Sequence, residues 1–241
     1  MTLTKLTLGI MSGGLTALSL QAGINPGFTG NTETAQWYDL NRSNPLLSEA
    51  NGYNHNYQTP NVGWAQPLAD MTGTTSAGLD KVAGTDLYVA GGGLFSFSAP
   101  GVLFVEDTAP LAGVQTILIQ LETEYVMGGP ESFVFEPTLY LNGEATALVA
   151  DFSSSLTGSG VNYNETSTLF FYQWDLSGLA SPVDEFKIEW STGDYYYNLD
   201  MELNTTDVAY NGLTVPEPQT YALFAGLGAI CVAVIRRRKQ P

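Results

Sequence analysis

The sequence predicts an all-β fold, an antiparallel β-sandwich of jelly-roll type, with an N-terminal signal peptide and a C-terminal single transmembrane helix. Three observations lead to this prediction. Several runs alternate apolar and polar residues with a period of two, which is typical of half-buried strands. Turns rich in Gly, Pro and Asn separate these runs, and no long helical pattern interrupts residues 23–214. About ten short strands in this order favour two packed antiparallel sheets.

Residues 1–22 have the parts of a secretory signal peptide. Lys5 supplies the positive charge, residues 6–20 supply the apolar stretch, and Ala22 supplies the cleavage point, although Leu20 fits the −3 position less well than alanine. The alternative is a buried amphipathic first helix, which the three glycines of the stretch disfavour. We therefore expect an exported domain that covers residues 23–214.

Three runs within this domain alternate most regularly, residues 115–125, 186–190 and 195–203. In each run one face is apolar and the other polar, so we expect a core side and a water side. The apolar faces are Ile117, Ile119 and Leu121; Phe186, Ile188 and Trp190; and Tyr195, Tyr197, Leu199, Met201 and Leu203. The polar faces are Gln120, Glu122 and Glu124; Lys187 and Glu189; and Asn198, Asp200 and Glu202.

Shorter apolar runs predict the remaining strands, and an Asn142-Gly143 pair predicts a type I′ hairpin because both central residues of that turn need positive φ. Residues 25–84 lack sustained periodicity but contain scattered aromatics, so we expect long loops with one or two strands that pack aromatics onto the sandwich. A partly disordered arm is the alternative. The other predicted strands are residues 87–90, 94–98, 102–105, 133–141, 145–152, 169–176 and 208–213.

The chain is strongly acidic, with 24 Asp and Glu against 8 Lys and Arg. Most basic residues lie at the termini, which leaves Arg42, Lys81 and Lys187 against 23 acidic residues in the interior. Such a surface repels nucleic acid and anionic lipid, so we predict no nucleic-acid partner. The one cysteine, Cys231, lies in the C-terminal apolar run, so the exported domain forms no disulfide.

The C-terminal tail has three parts, a Pro-rich motif, an apolar run over residues 220–235 and a basic cluster. The prolines keep the entry segment out of helix, so a helix begins only after them. The uncharged run spans roughly 24 Å, somewhat short of a ~30 Å hydrocarbon core, and snorkelling by the basic cluster bridges the difference. Flanking basic residues stay cytoplasmic, which orients the span. The motif is Val215, Pro216, Glu217 and Pro218, and the cluster that stops and orients the span is Arg236, Arg237, Arg238 and Lys239.

This combination resembles the PEP-CTERM sorting domain, and the resemblance covers residues 215–241 only. It implies export by a Gram-negative bacterium that makes exopolysaccharide, and recognition of residues 215–218 by an exosortase, an integral-membrane cysteine transpeptidase. Processing near the motif would remove the helix and the basic cluster, so residues 220–235 would hold the chain in the membrane only beforehand. The mature domain is then expected in the cell envelope, at the cell surface or in the extracellular matrix.

Candidates for catalysis are few. The single histidine, His55, lies in an Asn-rich loop, and nothing in the sequence indicates partners for a Ser-His-Asp triad. Glu122 and Glu124 project from one face of a strand at a separation of about 7 Å, which is of the order that glycosidases use. A solvated acidic strand face would show the same pattern. We therefore predict no enzyme, with a secreted glycan-active hydrolase that uses a carboxylate pair as the alternative.

Two features suggest ligands. Asp194, Asp200 and Asp207 are candidates for a structural calcium site, because carboxylates are hard oxygen ligands, and no other cofactor is predicted. The Tyr195-Tyr196-Tyr197 run beside polar amides would suit stacking of sugars, although core packing of two of the three rings is the alternative. The sequence thus favours a non-catalytic surface or matrix protein that is associated with exopolysaccharide or biofilm.

Overall fold

The computed structural model describes residues 27–125, 137–159 and 166–209. The predicted signal peptide, the 215–218 motif, the 220–235 helix and the 236–239 cluster lie outside the described residues. The described part forms thirteen strands and two short 3-10 turns, Pro45–Leu47 and Glu49–Asn51. None of its helices has the length and apolar character needed to cross a bilayer.

The strands form two antiparallel sheets, so the all-β class and the two-sheet arrangement are confirmed. Sheet A has the order β10-β11-β7-β13-β5-β4, and β1 also pairs with β13; sheet B has the order β2-β3-β6-β12-β8-β9. The strands are β1 (Thr32–Trp37), β2 (Leu68–Ala69), β3 (Gly78–Lys81), β4 (Tyr88–Val89), β5 (Leu94–Phe95), β6 (Val102–Asp107), β7 (Thr116–Tyr125), β8 (Thr138–Leu141), β9 (Leu148–Val149), β10 (Phe152–Ser159), β11 (Thr166–Asp175), β12 (Phe186–Ser191) and β13 (Tyr196–Thr206).

The core lies between the sheets and contains three fully buried tryptophans, Trp37, Trp174 and Trp190. Two of these indoles also link the two sheets, since Trp37 of β1 donates to the Leu68 carbonyl of β2 at 2.9 Å and Trp174 of β11 donates to the Leu148 carbonyl of β9 at 3.1 Å. Burying these two rings while pairing their N–H groups stabilises the sandwich, whereas the buried Trp190 N–H has no hydrogen-bond partner among the described residues. Because Trp37 lies in β1, the N-terminal segment is an integral part of the core.

Residues 27–84 are more regular than the sequence predicts, because they contribute three strands, β1, β2 and β3, where one or two were expected. The turn predicted at Asn142 and Gly143 is present, with φ values of 51° and 69° and a hydrogen bond from the Glu144 N–H to the Leu141 carbonyl at 2.8 Å. The innermost pair of β8 and β9 is Leu139 with Leu148, so the connection is longer than the predicted two-residue hairpin. Of the strand predicted over 208–213, residues 208 and 209 follow the end of β13 at Thr206 and lie outside any strand. The rest of that prediction lies outside the described residues.

A β-bulge in β13 corrects the predicted apolar face of that strand. The register with β7 shifts between Asn198 and Asp200, so the alternation changes sides there. Met201 and Leu203 lie in the core between the sheets, whereas Tyr195 and Tyr197 pack in a separate aromatic cluster. The five residues predicted to share one face are therefore divided between two faces of sheet A.

The predicted water side is right for β12 but mostly wrong for β7 and β13, where only Glu122 of the six predicted residues is half-exposed. Gln120, Glu124, Asp200 and Glu202 are all buried, whereas the side chains of β12 that face away from the core are half-exposed. Gln120 forms hydrogen bonds across strands to Glu202 and Asn204, and such bonds allow polar groups to be buried. The buried Asn198 amide, in contrast, has no hydrogen-bond partner among the described residues.

Candidate functional site

Six aromatic rings cluster on the outward face of sheet A, at the end where β13 begins. We call this cluster the aromatic patch. Phe95 lies at its centre, because its ring centroid is 5.7 Å from that of Tyr88 and 4.7 Å from that of Tyr197. Phe97 continues the cluster at 6.2 Å from Phe95. The residues of the patch are Tyr57, Tyr88, Phe95, Phe97, Tyr195 and Tyr197.

The patch has a buried base and an exposed outer row. Tyr88 and Phe95 are only 8% and 5% exposed, so they form the base, whereas Tyr57 and Phe97 are 55% and 40% exposed. Phe97 lies between the other two rings of the outer row, with its centroid 6.3 Å from Tyr57 and 6.0 Å from Tyr195. The chain therefore presents three neighbouring rings to solvent on a packed aromatic support.

Tyr57 is carried by a loop whose shape is fixed by short-range hydrogen bonds. The Asn54 side chain accepts from the Asn56 N–H and the Asn56 side chain accepts from the Gln58 N–H, both at 2.9 Å. These Asx turns define the loop locally. The loop is also fixed to β4, because the Val89 N–H donates to the Asn54 carbonyl at 2.8 Å.

Arg42 links this loop to sheet A through hydrogen bonds. Its Nε donates to the Val89 carbonyl at 3.0 Å, and its guanidinium also donates to the His55 carbonyl. A rigid guanidinium that bridges two backbone carbonyls holds them at a fixed separation. The Tyr57 ring is therefore held beside Phe97 by a preorganised backbone.

Tyr195 adopts a backbone conformation that side chains rarely take, with φ of 64°. This left-handed geometry costs roughly 1–2 kcal/mol for a residue other than glycine. It persists because residues 95–97 extend the pairing with the start of β13, through Tyr195 N–H to Ser96 O at 2.9 Å and Ser96 N–H to Tyr196 O at 3.2 Å. The strain is confined to the residue that directs its ring onto Phe97.

Polar groups surround the outer row. Exposed Asn56 and Gln58 flank Tyr57, and exposed Ser98 follows Phe97. The Asp86 carboxylate lies behind this segment and accepts from the Ser98 N–H at 2.5 Å and the Ala99 N–H at 2.8 Å. Burial raises the pKa of the Tyr88 hydroxyl above its ordinary value, so this hydroxyl is a hydrogen-bonding group at neutral pH. The patch thus combines ring faces with amide and hydroxyl groups.

The other end of β13 joins the two ends of the described domain. Asn31 donates its backbone N–H to Asp207 Oδ1 at 2.9 Å and its side-chain amide to Asp207 Oδ2 at 2.5 Å. The Asp207 N–H donates back to the Asn31 carbonyl at 3.2 Å. We call these contacts the terminal clamp. Because β13 has eleven residues, the clamp and the patch are separated by about 33 Å along the strand.

The predicted catalytic candidates either lie apart from the aromatic patch or have other partners than the sequence predicts. The His55 ring contacts the Leu47 carbonyl, which holds it within the loop. Glu122 accepts from the Ser167 hydroxyl at 2.7 Å, and Glu124 is buried. The residue directly across from Glu122 is Asp200 on β13, a pairing that depends on register between distant segments and could not be read from one strand.

Asp200 is the most strongly perturbed carboxyl in this region. Its pKa is raised to about 7, mainly by burial and also by the negative charges of Glu122 and Asp39, against a hydrogen bond from the Asp39 N–H at 2.8 Å that lowers it. A protonated carboxyl beside a second carboxylate can in principle act as an acid and a base. The sequence pattern suggests Glu124 as the partner of Glu122, whereas the strand register places Asp200 directly opposite Glu122.

The three candidate calcium ligands do not converge. Asp194 is exposed before β13, Asp200 is buried within the strand, and Asp207 belongs to the terminal clamp at its end. An extended strand of about 3.3 Å per residue places the outer two at opposite ends. Among the described residues, no group of three or more His, Cys, Asp or Glu side chains is arranged to hold a metal ion. Structural calcium stays a prediction.

Comparison of the chain with protein-family models, with curated proteins and with solved structures finds no match. The function is therefore inferred from the residues and contacts described above.

Proposed function

We propose that this protein is an exported, exosortase-sorted cell-surface or extracellular-matrix protein of a Gram-negative bacterium, non-catalytic and associated with exopolysaccharide or biofilm. The observation that carries the proposal is that two different features lie at opposite ends of β13. The exposed aromatic patch lies at one end, and the terminal clamp joins the two ends of the domain at the other. A domain built this way can be attached at one end and present a recognition surface at the far end.

The tail supports the attachment. The chain from Asp207 to Val215 has eight residues, which span at most about 28 Å when fully extended. This short separation in sequence supports attachment through the end of the domain that carries the terminal clamp. The predicted cleavage point at Ala22 lies nine residues before Asn31 of the clamp in the sequence.

The strand pairing supports the jelly-roll type predicted from the sequence. β1 pairs with β13, β6 with β12, β7 with β11 and β8 with β9, so the chain is an antiparallel ribbon of nested pairs. Wrapping this ribbon brings β7 against β13 and β8 against β12, which produces two sheets. Nesting of this kind also brings the first and last strands together, which is why the terminal clamp can form.

Fractionation of cells that express the full chain tests the proposal. We expect the parent protein in the envelope or polysaccharide fraction at a mass that lacks residues beyond the motif. Glu217→Ala should leave export intact and abolish processing, so that a form with the full tail accumulates in the inner membrane. Glu144→Ala, an exposed glutamate in the β8–β9 turn, is the matched control. If Glu217→Ala is processed like the parent, the tail is an ordinary anchor and the sorting proposal fails.

A second candidate function is glycan hydrolysis, favoured by one observation, the Glu122–Asp200 cross-strand pair. Retaining glycosidases place two carboxyl groups about 5 Å apart, and directly opposed residues on neighbouring strands have Cβ atoms at a similar separation. Release of reducing ends from polysaccharide by the purified full chain, abolished by Glu122→Gln and by Asp200→Asn, would establish this function. Absence of release from the parent, with polysaccharide binding intact, favours the non-catalytic proposal.

A further inference from the structure

We propose that the aromatic patch binds a neutral polysaccharide chain by stacking its sugar rings on Tyr57, Phe97 and Tyr195. This inference rests on the proposed function, because it names the surface through which the exported domain contacts its polymer. It goes further in specifying the residues, the stacking mode and the charge class of the ligand.

The rings supply the binding energy. Aromatic faces carry partial negative charge, and the C–H groups on one side of a sugar ring are partly positive and apolar, so the two surfaces attract and exclude water. Tyrosine and phenylalanine lose little side-chain entropy on binding because they have two rotatable bonds. The three rings have centroids 6.3 Å and 6.0 Å apart and planes inclined at 59° and 67°, so they offer successive faces at an angle to one another, which suits a repeating polymer whose units turn along the chain.

The patch is also preorganised. Tyr57 is carried on an Asx-turn loop bonded to Val89, and the strained backbone of Tyr195 is held by two hydrogen bonds with Ser96. Core packing explains Tyr88 and Phe95, which are buried, but it does not explain why Phe97 and Tyr57 remain 40% and 55% exposed. Backbone strain and exposed rings both reduce the stability of the fold, so their presence in one surface indicates a role in binding.

The charged residues around the patch favour a neutral ligand over an anionic one. The basic residues of the described domain are Arg42, Lys81 and Lys187. Arg42 is engaged by two carbonyls, and buried Lys81 donates to the carbonyls of Pro60 and Leu87 at 2.6 Å and 2.9 Å. Lys187 lies on sheet B. With Asp194 exposed beside Tyr195, an anionic polymer would meet repulsion at the patch and no available cation.

Hydrogen-bonding groups complete the surface. Sugar hydroxyls need donors and acceptors at the margin of a stacking platform, because unpaired polar groups make an interface costly. The Asn56 and Gln58 side chains beside Tyr57 and the Ser98 hydroxyl beside Phe97 lie in suitable positions along the chain, and all three residues are exposed.

Affinity electrophoresis of the full-length chain in detergent tests this proposal, with dextran and hydroxyethyl cellulose as neutral polymers and alginate as the anionic one. We expect retardation by a neutral polymer and none by alginate. The double variant Tyr57→Ala/Phe97→Ala should lose at least about tenfold in affinity, as expected for removal of two stacking contacts. Tyr57→Leu/Phe97→Leu, which retains apolar bulk, should lose binding as well and guards against a folding defect.

Tyr140→Ala is the matched control, because Tyr140 is a half-exposed ring on sheet B. It should bind as the parent does. The proposal is overturned if neither neutral polymer retards the parent, if both patch variants bind like the parent, if alginate binds more tightly, or if sedimentation shows that the patch instead joins two copies of the chain. Normal processing of the tail with no polymer binding would overturn this inference alone, and binding without processing would overturn only the sorting proposal.

Discussion

The outward faces of β13 and β12 look alike in sequence and differ in the folded domain. Both alternate apolar residues with charged or amide ones, yet Glu202 on β13 is 6% exposed while the Lys187 and Glu189 side chains on β12 are 37% and 30% exposed. The neighbours across the sheet contribute to the difference. Gln36 and Gln120 reach Glu202 from the two flanking strands, at 2.7 Å and 3.3 Å. Whether a polar residue faces water thus depends on partners that are distant in sequence.

The two faces also use different interactions. On sheet A, Asn204 extends the network, because it donates to Glu202 at 2.9 Å and to the Thr34 hydroxyl at 3.0 Å while accepting from Gln120 at 2.9 Å. On sheet B, Lys187 forms an ion pair with Glu189 at 3.0 Å and lies 5.0 Å and 5.5 Å from the ring centroids of Tyr140 and Phe104. Buried networks contribute more to stability than half-exposed pairs, which gives three predictions.

The largest expected effect is on Glu202. Glu202→Ala removes the acceptor of hydrogen bonds from Gln36, Gln120 and Asn204, and we expect the free energy of unfolding to fall by about 3 kcal/mol. Glu189→Ala on β12 removes one half-exposed ion pair and should cost less than about 1 kcal/mol. Urea unfolding monitored by tryptophan fluorescence measures both. Equal losses for the two variants would mean that the two faces are energetically equivalent.

The second prediction concerns pH. Burial raises the pKa of Asp200 from 3.8 to about 7, and burial also raises that of Glu202. The folded protein therefore binds more protons than the unfolded chain between about pH 4 and pH 7, so stability falls as pH rises through this window. Asp200→Asn keeps an acceptor for the Asp39 N–H, and it should stabilise the protein at pH 7 and flatten the profile.

Unfolding free energies measured in urea from pH 4.5 to pH 8 test this prediction, with Lys187→Gln on sheet B as a variant that keeps the Asp200 environment. A parent profile that rises steadily over this range would contradict the assignment of a protonated Asp200.

The smallest expected effect is on Lys187. Lys187→Ala removes the ion pair with Glu189 and two cation–π contacts at a half-exposed position, so we expect a loss of less than about 1 kcal/mol. High salt should reduce the contribution of the ion pair, so the difference between parent and variant should shrink in 1 M NaCl. A loss as large as that of Glu202→Ala would show that the sheet B face is a stability centre of its own.

The regular strands could be predicted from sequence because their alternation is long. β7 and β12 were identified nearly to their bounds, since apolar residues recur at every second position. β10 could not, because its sequence is mostly Ser, Thr and Gly, and among the described strands it pairs only with β11, at an edge of sheet A. β2 and β3 were also missed, since strands of two and four residues carry too little periodicity.

The candidate site was predicted only in part. Tyr195 and Tyr197 were recognised as possible stacking residues, but Tyr57 and Phe97 come from segments that fold onto them from far along the chain. The alternation of the sequence does not indicate the bulge at residues 198–200. This bulge places Tyr195 and Tyr197 on the face of sheet A that is turned away from the core. Register and bulges arise from pairing between strands, so a single strand sequence does not contain them.

The terminal clamp has a mechanical consequence. If a polymer is held at the aromatic patch and the chain is held beyond residue 209, tension between them runs along β13, from its first residue to its last. Antiparallel hydrogen bonds lie perpendicular to the strands, so this tension shears the ladders with β7 and β1 together instead of opening them one bond at a time. The arrangement of ends and patch therefore makes β13, the longest strand that the structure describes, the element that transmits tension between polymer and anchor.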